Sequence, residues 1–225
     1  GDAPLGVTFS SAGWSDAEGL PLAYHWDLGD GTTSTAANPT HVFNATPGVP
    51  VNRTVTLTVT DATLLTDVTT LTISLENTPP QVTITSPADG TLYALDAPTI
   101  YPLLASFNDD EHGAGQLTCA WQTTLHHNNH SHTEPIDPSC SSSAQITPVG
   151  CDGNVYFYTV SLTVTDPLGL ATTDTVTLLP DCPNVAPVAV GDSASVAQGY
   201  SVEIDVLADD GEAVGLIDPA SVAIQ

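Results

Sequence analysis

The sequence has 225 residues and carries 26 Asp and Glu side chains against a single Lys or Arg, Arg53, so its formal net charge is −25. A chain this acidic repels nucleic acid and anionic membrane surfaces, and neither is an expected partner. No stretch approaches the ~20 apolar residues that a transmembrane helix needs, which argues against membrane insertion. The chain begins at GDAP, without a methionine or a signal-like segment, and we expect it to be a piece of a longer protein.

The first predicted domain, residues 1–78, consists of short alternating runs separated by turn residues. Its heptapeptide VTLTVTD, which starts at Val55, alternates apolar and polar residues as a half-buried antiparallel strand does. A tryptophan in YHWDLGDG, Trp26, is typical of the centre of a small sandwich. The glycines that follow, Gly29 and Gly31, supply the positive φ of a tight turn. These features predict an all-β fold built from antiparallel β-sandwiches.

Together, the stretches YHWDLGDG, NPTHVF and VTLTVTD resemble the polycystic kidney disease (PKD) domain, an immunoglobulin-like sandwich. The resemblance covers nearly the whole first domain and implies a module of secreted bacterial enzymes or surface proteins. Within the turn, Asp30 can accept hydrogen bonds from backbone amides. A calcium ion held by Asp27 and Asp30 is the alternative role for these carboxylates, although calcium takes six or more oxygen ligands.

The second predicted domain, residues 79–183, repeats the pattern of the first after a linker, NTPPQ, whose prolines stop strand pairing. Its heptapeptide VSLTVTD, which starts at Val160, matches VTLTVTD, and Trp121 takes the place of Trp26. The two tryptophans are 95 residues apart and the two heptapeptides are 105 residues apart. The second copy therefore contains about ten extra residues between these two features.

The extra residues include four histidines in the stretch LHHNNHSH: His126, His127, His130 and His132. If the two central asparagines form a two-residue turn, His127 lies opposite His130 and Leu125 lies opposite His132. Directly opposed residues share a face, so His127, His130 and His132 converge while His126 points away. In a single extended strand, His126, His130 and His132 share the face instead.

Three imidazoles on one face form a suitable site for Zn²⁺ or Cu²⁺. Water, Glu134 or His112 is expected to complete the ligand set. Two other roles stay open, namely a solvated loop whose histidines gain charge below about pH 6.5 and direct contact with a sugar or protein ligand. The metal site is favoured because this one stretch holds four of the chain's seven histidines.

Four cysteines, Cys119, Cys140, Cys151 and Cys182, lie within 64 residues and show no CxxC spacing. This pattern indicates disulfides and an oxidising compartment, with four buried free thiols as the alternative. The predicted hairpins favour the pairs Cys119–Cys140 and Cys151–Cys182, each clamping one hairpin. The pairing of Cys119 with Cys182 and of Cys140 with Cys151 stays open, since four cysteines allow three arrangements.

A second resemblance is found in AWQTTLHHNNHSHTEP, TPVGCDGNVYFYTVSLTVTD and TLLPDC, which look like a PKD-like module of secreted bacterial proteins related to quinone (PQQ)-dependent sugar dehydrogenases. It implies an extracellular or periplasmic multimodular protein that acts near carbohydrate. After the linker PDCPNVAP, residues 184–225 resemble the start of a cadherin-like or immunoglobulin-like bacterial repeat. This repeat is expected to be incomplete, because the sequence stops at Gln225.

These predictions describe a monomeric, non-catalytic tandem of sandwiches from a secreted bacterial protein, with a Cu or Zn ion in the histidine loop and another module of the parent protein as a partner. The alternative is a plain spacer or a carbohydrate-binding module, which would contact polysaccharide through exposed aromatics such as Trp14 or Tyr93. An enzyme is the third reading, since a three-histidine metal with open positions can activate water. No Ser-His-Asp order or paired-carboxylate motif supports catalysis, and no catalytic residue is assigned.

Overall fold

The computed structural model describes residues 1–183 and positions 195 and 198. Apart from those two positions, the predicted partial repeat at 184–225 lies outside the described residues. The described residues form β-strands joined by turns, and their helical structure is one short 3-10 segment, Ala114–Gln116. No helix in this part of the chain has the length and apolarity needed to cross a membrane. The all-β prediction is confirmed.

The strands that precede residue 76 are β1 (Leu5–Thr8), β2 (Ala23–Asp27), β3 (Thr33–Ser34), β4 (Thr40–Phe43), β5 (Val51–Thr60) and β6 (Thr66–Leu75). They form two antiparallel sheets, one of β1 and β4 and one in the order β3-β2-β5-β6. The heptapeptide VTLTVTD lies in β5 and at its end, and β5 pairs with β6 along its whole length.

The core of these sheets follows from the alternation in β5. Val55, Leu57 and Val59 are buried, whereas the threonines between them are partly exposed. Trp26 is also buried, with its ring centroid 5.3 Å from that of Phe9. The period of two in the sequence thus becomes one apolar face, and the tryptophan packs within the core that this face forms.

The turn after β2 contains the two glycines that were expected to take positive φ. Gly29 has a φ of 75° and Gly31 a φ of 91°. The Oδ1 atom of Asp27 accepts a hydrogen bond from the Gly29 amide at 2.9 Å, and the Oδ1 atom of Asp30 accepts one from the Thr32 amide at 3.0 Å. Both carboxylates therefore hold the backbone of the turn, which supports their structural role.

Asp30 also interacts with the ring of His41, whose Nε2 lies 2.7 Å from Asp30 Oδ2. Desolvation raises the pKa of Asp30, but hydrogen bonds from Thr32 and His41 outweigh it and lower the pKa to about 2. The carboxylate is thus ionised and already partnered at neutral pH. A calcium ion bound to Asp27 and Asp30 stays a prediction.

The strands that follow residue 80 are β7 (Gln81–Ser86), β8 (Thr91–Tyr93), β9 (Thr99–Asn108), β10 (Thr118–His127), β11 (His130–Thr133), β12 (Ser142–Ile146), β13 (Tyr156–Thr165) and β14 (Ala171–Pro180). They form a five-stranded sheet in the order β11-β10-β13-β14-β8 and a three-stranded sheet in the order β12-β9-β7. Strand β8 joins β14 in a parallel pair. The short strand β11 lies at the edge of its sheet, so it pairs with β10 alone.

Two compact units can be distinguished by the contacts within the chain. The first unit contains residues 1–82, 107–119 and 163–173, and the second contains 83–106, 120–162 and the segment from residue 174. The paired residues of β10 and β11, Thr124–Thr133, lie in the second unit, and we call this segment the histidine hairpin. The predicted domain boundaries near residues 78 and 183 stay predictions.

We expect Gly29→Ala to destabilise the protein more than Gly31→Ala, although both glycines have positive φ. An alanine Cβ at position 29 would overlap the backbone carbonyl of Thr54, whereas one at position 31 meets nothing within 4 Å. Gly31→Ala should therefore cost about 1–2 kcal/mol for the left-handed backbone alone, and Gly29→Ala a further ~1–3 kcal/mol for the overlap. Urea unfolding of both variants checks this, and equal losses would contradict the packing of this turn.

Candidate metal centre

The hairpin of β10 and β11 adopts the version that turns at the two asparagines. His127 pairs with His130 and Leu125 pairs with His132. Asn128 has a φ of 51°, in the left-handed region that asparagine tolerates better than most residues. Because opposed residues share a face, His127, His130 and His132 lie on the same side of the hairpin.

The tip of the hairpin is held against the segment that leads into β13. The Asn128 amide donates to the Val155 carbonyl at 3.0 Å, and the Val155 amide donates to Asn128 Oδ1 at 3.2 Å. The Asn128 side-chain amide also donates to Asn154 Oδ1 at 3.0 Å. Asn128 thus uses its backbone and both ends of its side chain, which fixes the turn and with it the register of the histidines.

The three imidazoles form a close cluster. The Nε2 atoms of His127 and His132 are 2.9 Å apart, and the ring centroids of His127 and His130 are 3.7 Å apart. One nitrogen from each ring lies within 4.8 Å of the others. Two nitrogens bound to one zinc at 2.0–2.1 Å are ~3.3 Å apart at a tetrahedral angle and ~2.9 Å apart at a right angle. Small side-chain rotations are therefore enough to direct all three nitrogens at one ion.

The surroundings of His127 favour its neutral form. Partial desolvation, followed by the charges of His130 and His132, lowers the pKa of His127 below its ordinary value. The ring of Tyr156 stacks beside it, with centroids 5.7 Å apart and planes 13° apart. A neutral imidazole offers the lone pair that a metal ion needs, so His127 is prepared for coordination at neutral pH. His130 and His132 are exposed, which leaves the cluster open to ions from solution.

The fourth histidine of the stretch, His126, does not join the cluster. Its Nε2 atom lies 3.0 Å from Thr159 Oγ1, and its ring stacks on Phe157 with centroids 4.4 Å apart. The strand alternation places its side chain on the opposite face from His127. The predicted ligand set is corrected accordingly, and His126 is removed from it.

The two additional ligands suggested by the sequence are not part of the clustered group. His112 Nδ1 is 2.9 Å from Asp109 Oδ1, and this pair groups with Asp166 rather than with the histidine hairpin. Glu134 donates its amide to the Thr123 carbonyl at 2.9 Å and is not among the ligand atoms that cluster within 4.8 Å of one another. Water is thus the remaining expected ligand.

The cysteines are oxidised, so four free thiols are not present in the structure. Cys151 is joined to Cys182, with their Cα atoms 5.6 Å apart, and this excludes the pairing of Cys119 with Cys182. Cys119 and Cys140 are disulfide-bonded as well. The Cys151–Cys182 bond anchors the loop that precedes Asn154 and thereby supports the segment against which the hairpin tip rests.

The aromatic residues differ from the sequence expectation in two ways. Tyr93 is fully buried, and its hydroxyl donates to the Val149 carbonyl at 2.7 Å, so the expectation of an exposed Tyr93 is wrong. Trp14 is half-buried against the core of the first sheets. Sequence reasoning did not identify Tyr156 as the aromatic neighbour of His127. The signal for it is that Tyr156 lies two residues before the buried Tyr158 in β13, and residues two apart in a strand share a face.

The family comparison concerns the first predicted domain. Residues 2–75 match the family model of the PKD domain. The first predicted domain is therefore similar to a PKD domain. The chain is 46% identical over 56 residues to collagenase ColA of Bacillus cereus (strain ATCC 14579) and 50% identical over 38 residues to collagenase ColQ1 of Bacillus cereus (strain Q1). These alignments span 25% and 17% of this chain but only 5% and 4% of the two collagenases.

Two solved structures that match this chain have low sequence identity and TM-scores below 0.5. The fibronectin(III)-like modules of Clostridium thermocellum CbhA are 12% identical, with a TM-score of 0.37, and the alignment covers 80% of this chain and 87% of that chain. Three N-terminal domains of the bacteriophage RB49 outer capsid protein Hoc are 12% identical, with a TM-score of 0.35, and the alignment covers 81% of this chain and 66% of that chain.

The resemblance of the second predicted domain to a module of proteins related to quinone-dependent sugar dehydrogenases stays a prediction.

We expect His127 to titrate below the ordinary histidine pKa of about 6.5, in an NMR titration of its imidazole carbon-bound protons. The folded state disfavours the protonated form of His127. The free energy of unfolding is therefore unaffected by this side chain above pH ~6.5, and it decreases as the pH falls from 6.5 through the pKa of His127 in the folded state. Removing the neighbouring rings in the double variant His130→Ala/His132→Ala should raise the pKa. His126→Ala is the control and should leave it unchanged. A pKa at or above 6.5, or one unaffected by the double variant, contradicts the clustering of the three rings.

Proposed function

We propose that this chain is a non-catalytic, extracellular accessory segment of a larger multimodular protein and that its second predicted domain binds a copper or zinc ion. The observation that carries the metal proposal is the cluster of His127, His130 and His132, whose nitrogens lie within 4.8 Å of one another. The ion would be held by three imidazole nitrogens, with water in the remaining positions.

The accessory role is supported by the PKD domain and by its relatives. The matched proteins are named collagenases, and this chain aligns with 5% or less of each, which fits a module rather than a catalytic body. The disulfide bonds are consistent with an oxidising, extracellular location. The parent protein's own activity and substrate belong to its other modules in this proposal.

A binding role suits the exposure of the site better than catalysis does. His130 and His132 are exposed at the tip of an edge hairpin. Metal-assisted catalysis usually takes place in a cavity that excludes water and shapes the substrate, whereas a site at a hairpin tip is open on one side. The histidine cluster is therefore proposed to bind the ion for structural or docking purposes, with the open coordination position available to a group of another module.

The surrounding charge favours the capture of cations. The chain carries a formal charge of −25, and such a field raises the local concentration of divalent ions. Long-range attraction does not select one ion, however. Selectivity for Cu²⁺ or Zn²⁺ over the alkaline-earth ions comes from the imidazole nitrogens, which are softer ligands than carboxylate oxygens.

Calorimetric titration of the chelator-treated protein with Cu²⁺ and with Zn²⁺ tests the proposal. We expect one saturable site per chain for at least one of these ions, and an affinity loss of at least ~10-fold in His130→Ala and in His132→Ala, because each removes one of three ligands. Protons compete for the same lone pairs, so the affinity should also fall as the pH is lowered below about 6.5.

His126→Ala is the matched control, since His126 belongs to the same stretch but faces Thr159. It should bind the ion with wild-type affinity. Absence of binding in the wild-type chain, or an equal loss in the His126 and His132 variants, contradicts a site formed by the three clustered imidazoles.

A further inference from the structure

A cavity lies beside the segment that joins β11 to β12. Its walls come from this segment and from β9, β10 and β12. Its volume is about 380 Å³, which lies within the range of ~300–1,000 Å³ found for small-molecule pockets. All residues that line it belong to the second compact unit, so the cavity is a feature of that unit alone.

The path of the chain after β11 explains how the cavity forms. Strand β11 belongs to the five-stranded sheet and β12 to the three-stranded sheet, so the chain between them passes from one sheet to the other. It first stays beside β10, because the Glu134 amide donates to the Thr123 carbonyl at 2.9 Å and Asp137 exchanges two backbone hydrogen bonds with Trp121, at 2.8 and 3.0 Å. These bonds place Glu134 and Asp137 next to Thr123 and Trp121 in the cavity wall.

Two polar groups in the wall have no protein partner. Thr123 is only 8% exposed, yet its hydroxyl makes no hydrogen bond with any described residue. Most buried polar side-chain atoms in folded proteins do have such a partner. The carboxylate of Glu134, at the exposed side of the cavity, also makes no hydrogen bond or ion pair within the described residues. The cavity therefore offers a hydroxyl and a carboxylate to a molecule that enters it.

The cavity has a negative character. Asp137 supplies a second carboxylate, whose oxygens accept hydrogen bonds from the Ser142 hydroxyl and, at 2.8 Å, from the Ser139 amide. These bonds, that of Ser142 foremost, lower the pKa of Asp137, so it is ionised at neutral pH. None of the described residues that line the cavity is basic, and the sequence contains no lysine. A positive group that balances these carboxylates has to come from another molecule.

The remaining wall is largely apolar. Leu103, Trp121 and Ala144 are 2%, 1% and 8% exposed, and Pro135 adds an aliphatic ring. Such a surface favours the methylene groups of a ligand, because their burial removes apolar area from water. The cavity thus combines free oxygen acceptors and negative charge with a surface suited to a hydrocarbon stem. A lysine side chain has this composition, with a four-carbon stem and an ammonium group that carries three donors.

We propose that this cavity binds the lysine side chain of another polypeptide, with the ammonium group at the Glu134 carboxylate and the Thr123 hydroxyl and the stem against Leu103 and Pro135. An ammonium group can turn its three donors toward acceptors on different strands, whereas a guanidinium group holds its donors in one plane. A neutral sugar would leave the two carboxylates without a counter-charge. The proposal does not rest on the transition-metal site, since none of the three clustered histidines lines the cavity.

The test is an NMR titration of the EDTA-treated, ¹⁵N-labelled full chain with Nα-acetyl-lysine-N-methylamide at low ionic strength. We expect saturable shifts centred on the amides of Thr123, Glu134 and Ser143, with a Kd of about 1 mM, as is typical of a ligand of this size. Glu134→Gln and Thr123→Val should each weaken binding about 5-fold, because each removes an acceptor of the ammonium group. Binding should also weaken at ~0.5 M salt, since salt screens the charges.

Asp96→Asn is the matched control, because it removes an exposed carboxylate of the same unit that does not line the cavity. It should bind the lysine compound like the wild type. The norleucine analogue has the hydrocarbon stem without the ammonium group and should bind about 5-fold more weakly. The double variant His130→Ala/His132→Ala should bind the lysine compound with wild-type affinity, which keeps this test separate from that of the metal site.

Thr123→Val also reports on the free protein. Its hydroxyl has no partner there, so the free energy of unfolding should not fall, and the loss of binding cannot be attributed to unfolding. The proposal is overturned if the shifts spread over the acidic surface without saturation, or if Asp96→Asn weakens binding as much as Glu134→Gln does. It is equally overturned if the norleucine analogue or glucose binds the cavity as tightly as the lysine compound.

Discussion

The register of one β-hairpin determines the chemistry of the second predicted domain. Side chains alternate strictly along a strand, so a shift by one residue would exchange His126 for His127 on the clustered face. Asn128 fixes the register because its left-handed backbone forms the turn and its side chain bonds to the segment before β13. The disulfide from Cys151 to Cys182 supports that same segment. The position of three imidazoles thus depends on one asparagine and its hydrogen bonds.

The near absence of basic residues imposes a second constraint on the whole molecule. Carboxylates cannot be paired with lysine, so they turn to backbone amides, as Asp27 and Asp30 do, or to histidine, as Asp30 does with His41. The buried carboxylates follow the same pattern, since Asp109 faces the ring of His112 and Asp166 accepts hydrogen bonds from the amides of Leu168 and Leu170. Backbone amides and histidines thus take the role that lysine and arginine have in chains of balanced charge.

The sequence predicted those features that depend on local rules. Alternation identified the buried face of β5, and the turn preference of asparagine identified the pairing of His127 with His130. The placement of His112 and the burial of Tyr93 were missed because both depend on contacts between distant segments. The cluster of Asn77, Asp109 and Asp166 was invisible for the same reason, since no spacing motif joins residues so far apart in the chain. The burial of Asp109 and Asp166 becomes apparent only once the strands have packed.

The most direct measurement of the central claim is a set of NMR nuclear Overhauser contacts within the histidine hairpin of the metal-free protein. Contacts between the rings of His127 and His132, together with cross-strand backbone contacts between Leu125 and His132, are the predicted result. Ring contacts of His126 with His130 or His132 would instead indicate the other register. That outcome would contradict the shared face on which the proposed ion site rests.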